Sequence, residues 1–280
     1  MNGMEKALNG IAARAEKAAQ DRKDHLEADG LLHCDNCGQP TQTRVEIFGE
    51  VRTVRCICRC DQEEKEKQEK ARQQERKLQR IQRLRIQGFD KAEMQGWTFE
   101  NDDGKQPKVM KAAKAYCERF EMFKDQGKGL LLYGTVGTGK TYASACIANE
   151  LISRGVPVLM TNFTRIINRL QSSFEGRQEY LDSLNDFDLL IIDDLAAERN
   201  TEYMNEAVYS VIDTRYRAGL PLIVTTNIHA QKMMSETELA RQRIYSRVLE
   251  RCHPIEVVGA DRRTESVLKE YSEMNHLLGL

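Results

Sequence analysis

The octapeptide Gly134-Thr135-Val136-Gly137-Thr138-Gly139-Lys140-Thr141 constrains this 280-residue chain more than any other feature. It fits G-x-x-x-x-G-K-[ST] at every position. Its glycines let the backbone wrap a phosphate with the N–H groups turned inward. Leu130 to Tyr133, just before it, form a short continuous apolar run, the pattern of a buried parallel strand. TYASACIANELIS, just after it, reads as a helix whose positive end faces the phosphates. Strand, glycine loop and helix in that order predict an α/β domain that binds a nucleoside triphosphate. The expected cofactor-binding stretch is Gly134, Thr135, Val136, Gly137, Thr138, Gly139, Lys140, Thr141 and Tyr142. Lys140 should reach the β- and γ-phosphates, and Thr141 the Mg²⁺.

The downstream sequence supplies the rest of such a site. VPVLMTNF (156–163) predicts a second strand, and a helix signal runs from Thr164 to Phe174. Phe187-Asp188-Leu189-Leu190-Ile191-Ile192-Asp193-Asp194 is an apolar strand ending in two carboxylates, the Walker B pattern. Asp193 is expected to hold Mg²⁺ through water and Asp194 to orient or activate the attacking water, with Glu198 a second candidate for that role. A helix over about 202–218 should stop at Gly219, and Pro221–Thr225 reads as a fourth strand. Asn227 beyond it can hydrogen-bond the attacking water or the γ-phosphate, the sensor-1 role. Arg243, Arg247 and Arg251 recur every four residues and share one helical face with Glu250 beside them. That stripe reads either as a salt-bridged surface or as cations projecting into a neighbouring subunit's ATP site. Arg262 and Arg263 follow a short predicted strand, IEVV.

The N-terminal part follows different chemistry. Five of the eight cysteines fall between Cys34 and Cys60. A reducing compartment favours metal ligation over disulfides for such a cluster. Cys34-Asp35-Asn36-Cys37-Gly38 is a CxxC knuckle. A strand pair turning at Gly49 then returns Cys56, Cys58 and Cys60 to its neighbourhood, with the three expected on one strand face. Cys34, Cys37, Cys58 and Cys60 are the expected structural Zn²⁺ ligands, with Cys56 the alternate and His33 weaker. Residues 61–87 change composition sharply: nine basic against six acidic residues, no Pro and no Gly, and a thin seam of Leu78, Ile81 and Leu84. They read as a solvated linker helix, or else as a helix facing a partner or nucleic acid.

These readings give three regions: 1–60 with the ribbon at about 31–60, a charged linker helix over 61–96, and an ATPase domain over 97–280. Composition agrees. Hydrophobic residues make up 40% of the chain, enough for one substantial core, and the net charge of −1 leaves room for local basic patches. No apolar run approaches the roughly 18 residues of a membrane helix, and the first residues lack a secretory apolar region, so a cytoplasmic location is expected.

The series GTVGTGKT, LLIIDDLAAE, IVTTN, SRVLERC and GADRR resembles the AAA+ ATPases of the helicase-loader and transposition-helper group. It looks most like DnaC/DnaI-type replicative helicase loaders, whose zinc-bearing prophage versions begin with a similar CxxC…CxC ribbon. The resemblance implies a five-stranded parallel sheet with a short C-terminal lid, since 17 residues follow Arg263. It implies ATP, Mg²⁺ and Zn²⁺ as cofactors. It implies Lys140, Asp193, Asp194 and Asn227 as catalytic residues, Arg251 as arginine finger, Arg247 as the accessory box VII arginine and Arg263 as sensor 2. Its implied function is loading a DnaB-type hexameric helicase onto single-stranded DNA, through self-assembly of the AAA+ domains and with hydrolysis weak until DNA or partner is present. An IstB-type transposition helper is the alternative, and a nucleotide-sensing adaptor without useful hydrolysis a third reading. For DNA, Arg165, Arg169 and Arg177 offer cations, and Phe163 and Phe174 aromatics that fit a core better.

Overall fold

The computed structural model describes residues 24–47, 49–172, 176–195 and 201–278. The chain divides into two compact units, Met1–Arg76 and Lys77–Leu280.

In the first unit, β1 (Asp24–Leu26) pairs antiparallel with β2 (Leu32–Cys34), and β3 (Gln42–Ile47) with β4 (Glu50–Arg55). Gly49 turns the second hairpin at φ +81°, as its position between two β-branched runs predicts. The strand stops at Arg55, and α1 (Arg59–Gly88) begins four residues later. Cys56, Cys58 and Cys60 therefore do not share a strand face, which corrects the sequence expectation: Cys60 lies in the first helical turn. Residues 62–76 of α1 are exposed throughout, as a run of charge and glutamine should be.

The second unit starts inside that helix, at Lys77 rather than at Trp97. Leu84, Phe89 and Met94 are buried in one cluster with the ATPase core, and Ile81 packs against it. Phe89 also bridges Met160 in parallel. After a helical turn at Ala92–Gly96 come α2 (Pro107–Glu118), α3 (Phe120–Asp125), β5 (Gly129–Tyr133) and α4 (Lys140–Ser153). Next are β6 (Val158–Asn162), α5 (Phe163–Ser172), α6 (Arg177–Ser183), β7 (Leu189–Leu195) and α7 (Glu202–Ala218). The chain continues with β8 (Leu222–Thr226), α8 (Ala230–Met234), α9 (Leu239–Arg251), β9 (Cys252–Glu256) and α10 (Arg262–Leu278). The last strand begins three residues before the predicted IEVV. Cys252, His253 and Pro254 pair with Gly129–Leu131 although none is a strong strand former, because β5 offers them a free edge.

Five strands form one parallel sheet in the order β6-β7-β8-β5-β9. The chain leaves β5 for the far edge, returns through β7 and β8, and crosses to β9 on the other side. That reversal opens a crevice at the C-terminal ends of β5, β7 and β8, where α/β sheets bind ligands. Alternate strand residues feed two cores. Leu130, Leu132, Leu189 and Ile191 pack under α2 and α4, while Leu131, Leu190 and Ile192 pack under α5, α7 and α9. Arg215 of α7 is 1% exposed, and its guanidinium donates to the carbonyl oxygens of Leu184, Phe187, Asp188 and Pro221. Burial draws its pKa down to about 10, so it stays charged and ties α7 to the entrances of β7 and β8. Among the described residues, no helix is long and apolar enough to cross a membrane.

Candidate nucleotide and metal sites

The loop after β5 has the backbone that its glycines permit. Gly137 lies at φ +75°, where an added Cβ would collide with the Asp261 carboxylate, and Gly139 precedes α4 at φ +99°. The first N–H groups of α4 thus open toward the crevice. Lys140 Nζ donates to Gly134 O at 2.9 Å, Thr135 O at 2.7 Å and Asn227 Oδ1 at 2.8 Å, so the predicted sensor and the predicted lysine meet directly.

The Walker B carboxylates close the other side. Thr141 Oγ1 donates to Asp193 Oδ1 at 2.9 Å, which brings together the two groups expected to hold Mg²⁺. Hydroxyl and carboxylate oxygens are the hard donors that ion takes. Asn227 Nδ2 donates to Asp194 Oδ1 at 3.3 Å. Residues 136–142, Asp193, Asp194, Thr225 and Asn227 line one cavity of about 330 Å³, joined by Trp97 and Arg262. Glu198 lies outside the described residues.

Three of these lining residues, Trp97, Thr225 and Arg262, carried no site role in the sequence reading. Trp97 stands 5.8 Å from the Tyr142 ring, and Tyr142 donates its hydroxyl to Thr98 O. Arg262 supplies a described cation over the phosphate loop. Its backbone N–H donates to Gly137 O at 3.1 Å and its guanidinium pairs with Asp103 at 3.3 Å. Nothing in an Arg-Arg pair tells which member faces inward. The Arg263 side chain lies outside the described residues.

Arg243, Arg247 and Arg251 line no part of their own chain's nucleotide cavity. They stack on tyrosines of α7. Arg243 lies over Tyr209 at 4.8 Å, Arg247 over Tyr209 at 4.5 Å and Arg251 over Tyr216 at 4.6 Å. Arg247 also pairs with Asp213 at 2.8 Å, and Tyr216 donates its hydroxyl to Glu250 at 2.8 Å. The anionic company of the stripe therefore comes partly from another helix.

Of the arginines considered for DNA, Arg165 and Arg169 line one cavity and Arg177 lines another with Tyr203. Arg165 pairs with Asp90, Arg169 lies over Tyr180, and Arg177 over Tyr203. Phe163 is 1% exposed and belongs to the core, as expected, whereas Phe174 lies outside the described residues.

In the first unit the sulfurs of Cys34, Cys37, Cys58 and Cys60 lie within 4.8 Å of one another. Four thiolates about 2.3 Å from a zinc ion stand some 3.8 Å apart, so this donor set fits a tetrahedral S₄ site with little adjustment. Cys56 is directed elsewhere, its Sγ donating to Pro40 O at 3.1 Å. His33 is engaged with Gly38 O and Asp29. The Gln39 backbone N–H, then the Cys60 backbone N–H and the Cys60 and Cys34 thiols, draw the Cys37 pKa down to about 6, while burial raises that of Cys58.

A parallel sheet in this order, a glycine loop after β5 and paired acids on β7 define an AAA+ P-loop domain. The family model described as "IstB-like ATP binding protein" matches residues 63–269, and the chain belongs to that family. It is 26% identical over 182 residues to the replicative helicase loader DnaI of Bacillus subtilis (strain 168), covering 60% of this chain and 58% of that one. It is 27% identical over 161 residues to the replicative helicase loader DnaC of Escherichia coli (strain K12), covering 55% and 63% respectively. The matches thus span about three fifths of the length of these curated relatives. A crystal structure of DnaI superposes with a TM-score of 0.52 at 28% identity, over 64% of this chain and 99% of that one.

Proposed function

We propose that this protein is an ATPase that loads a DnaB-type hexameric helicase onto single-stranded DNA. The observation that carries the ATPase reading is the convergence of Lys140, Thr141, Asp193, Asp194 and Asn227 on one cavity. The loader reading rests on relatives that bear that name, one of them matched in fold along nearly its whole solved length.

The chemistry asked of each residue is modest, because phosphoryl transfer needs mainly position and charge. The α4 N-terminus and Lys140 bind the β- and γ-phosphates. Thr141 and Asp193 would hold Mg²⁺, which when bound neutralises charge on those oxygens. Asp194 accepts a proton from the attacking water, and Asn227 orients that water. Arg263 serves as sensor 2, with Arg262 beside it at the phosphate loop. Arg251 acts in trans as the finger, with Arg247 beside it; that neither lines its own chain's cavity favours delivery to a neighbour. Cys34, Cys37, Cys58 and Cys60 hold a structural Zn²⁺ that shapes the helicase-docking unit, in a cytoplasmic setting that keeps thiols reduced.

The test is capture of a hexameric helicase, and its deposition on single-stranded DNA, with and without ATP. Wild type should load only with ATP. Lys140→Ala should abolish loading, and Arg251→Ala should keep nucleotide affinity while losing turnover. Turnover equal in an isolated monomer and in Arg251→Ala would remove the trans finger. A second reading, a duplex-binding transposition helper, is favoured by the description of the matched family. ATP-dependent filaments on duplex DNA without helicase capture would select it.

A further inference from the structure

In a regular strand, successive side chains leave on opposite faces. Asp193 and Asp194 are successive, yet both line the nucleotide cavity. The pairing of β7 with β8 explains how. Ile192 stands opposite Val224 and Leu195 opposite Thr226, so two residues of β7 face the single residue Thr225. This is a β-bulge, a device that re-aims side chains beside active sites. Asp194 pays for it in backbone conformation: at φ +65° it is the one non-glycine residue with positive φ among those described.

One hydroxyl holds the bulge. Thr225 is 1% exposed. Its Oγ1 lies 2.8 Å from the Asp194 backbone N and 2.6 Å from Asp193 Oδ1. The amide can only donate, so the hydroxyl accepts there and gives its single proton to the carboxylate. Both of its roles are thereby fixed. Thr141 donates to the same Asp193 oxygen. Two donors on Oδ1 fix the rotation of the carboxylate.

We propose that Thr225 is a positioning residue for hydrolysis: its hydroxyl pins the bulge that turns both Walker B carboxylates into one site. The proposal rests on the ATPase reading but is testable apart from it. It predicts that hydroxyl chemistry, not side-chain volume, matters at position 225. Thr225→Val keeps the volume and removes the hydroxyl; Thr225→Ser keeps the hydroxyl and removes the methyl.

The experiment compares both variants with wild type, as full chains, in steady-state ATPase assays and in Mn²⁺ titrations with ADP present. Thr225→Val should lose about 10²-fold in kcat, the penalty of a misplaced catalytic group, while KM for ATP changes by less than about threefold. Its Mn²⁺ affinity should fall. Thr225→Ser should keep kcat and metal affinity within about threefold of wild type. Thr225→Val with wild-type kcat and metal affinity overturns the proposal. So does equal loss in both variants, which would mark a packing role. If wild type binds ADP but hydrolyses nothing, the ATPase reading fails. The Mn²⁺ comparison then still decides the bulge.

Discussion

The two units of this chain are held together by different means. Among the described residues of the first, only Cys34, Thr41 and Cys58 are buried, and two of those three are thiols of the four-cysteine cluster. The second buries two apolar layers, with Leu131, Ile147, Leu189, Ile191 and Val224 at 0% exposure. A hairpin pair with so little apolar interior among its described residues cannot offset the entropy of ordering its chain, and the proposed zinc ligation would do it. A large parallel sheet needs no such help. One unit should therefore respond to metal removal and the other to lost packing and lost nucleotide contacts.

The largest effect expected is on the first unit. Chelation, or Cys58→Ser, should remove stabilisation on the order of 10 kcal/mol and unfold it. ATP binding by the second unit should persist. Thiol counting reads this directly. Burial pushes the pKa of Cys117, Cys146 and Cys252 up to about 12, which keeps them inert in the folded ATPase unit. Alkylation of the native zinc form should label one thiol, Cys56. The chelated form should show five and the denatured chain all eight. Five labelled thiols without chelator would mean that no metal holds the cluster.

Packing comes next. Ile191, at 0% exposure, joins the first core under α4, and Ile191→Ala should cost about 2–5 kcal/mol. Denaturant unfolding should show the loss in the second unit's transition alone, with zinc retained. Loss of zinc in this variant would break the division into independently held units.

Lys140→Ala touches the ligand rather than the fold. Lys140 reaches Asn227 and two loop carbonyls, and a charged hydrogen bond is worth about 1.5–3 kcal/mol. ATP affinity, by calorimetry, should fall about 10- to 100-fold. Zinc content should not change.

How much of this was legible beforehand follows the same physics. The phosphate loop was fully readable, because backbone conformation there admits glycine at fixed positions and little else. The strand from Leu130 and the helix ending at Gly219 were readable from apolar runs and from a left-handed cap, Gly219 at φ +66°. The start of the ATPase unit was not. Leu78 remains 61% exposed while Leu84 is buried, so the thin seam along α1 gave no sharp point of entry to the core. The four expected cysteines do come together, but by a different route, since a helix start rather than a strand presents Cys60. The bulge at Asp193–Asp194 and the inward turn of Arg262 depend on neighbours distant in sequence, and no local pattern announces them.

The smallest effect concerns the helix whose tyrosines carry the arginine stripe. Thr201 is extended (φ −115°, ψ 151°) and its side chain accepts a hydrogen bond from Met204 N at 3.3 Å, an N-cap for α7. Thr201→Ala should cost about 0.5–2 kcal/mol, toward the low end because the bond is long and exposed. Thr201→Asp should equal or exceed wild type, since a carboxylate caps as well and favours the positive end of the helix. Both changes should move the denaturant midpoint of the second unit alone. Tyr209 and Tyr216 lie two and four turns further along α7, beyond any fraying of its first turn. Their hold on Arg247 and Arg251 should survive, so turnover per folded molecule should not change. If Thr201→Ala instead lowers turnover at full folding, the cap and the stripe are coupled along α7, and this helix transmits more than packing.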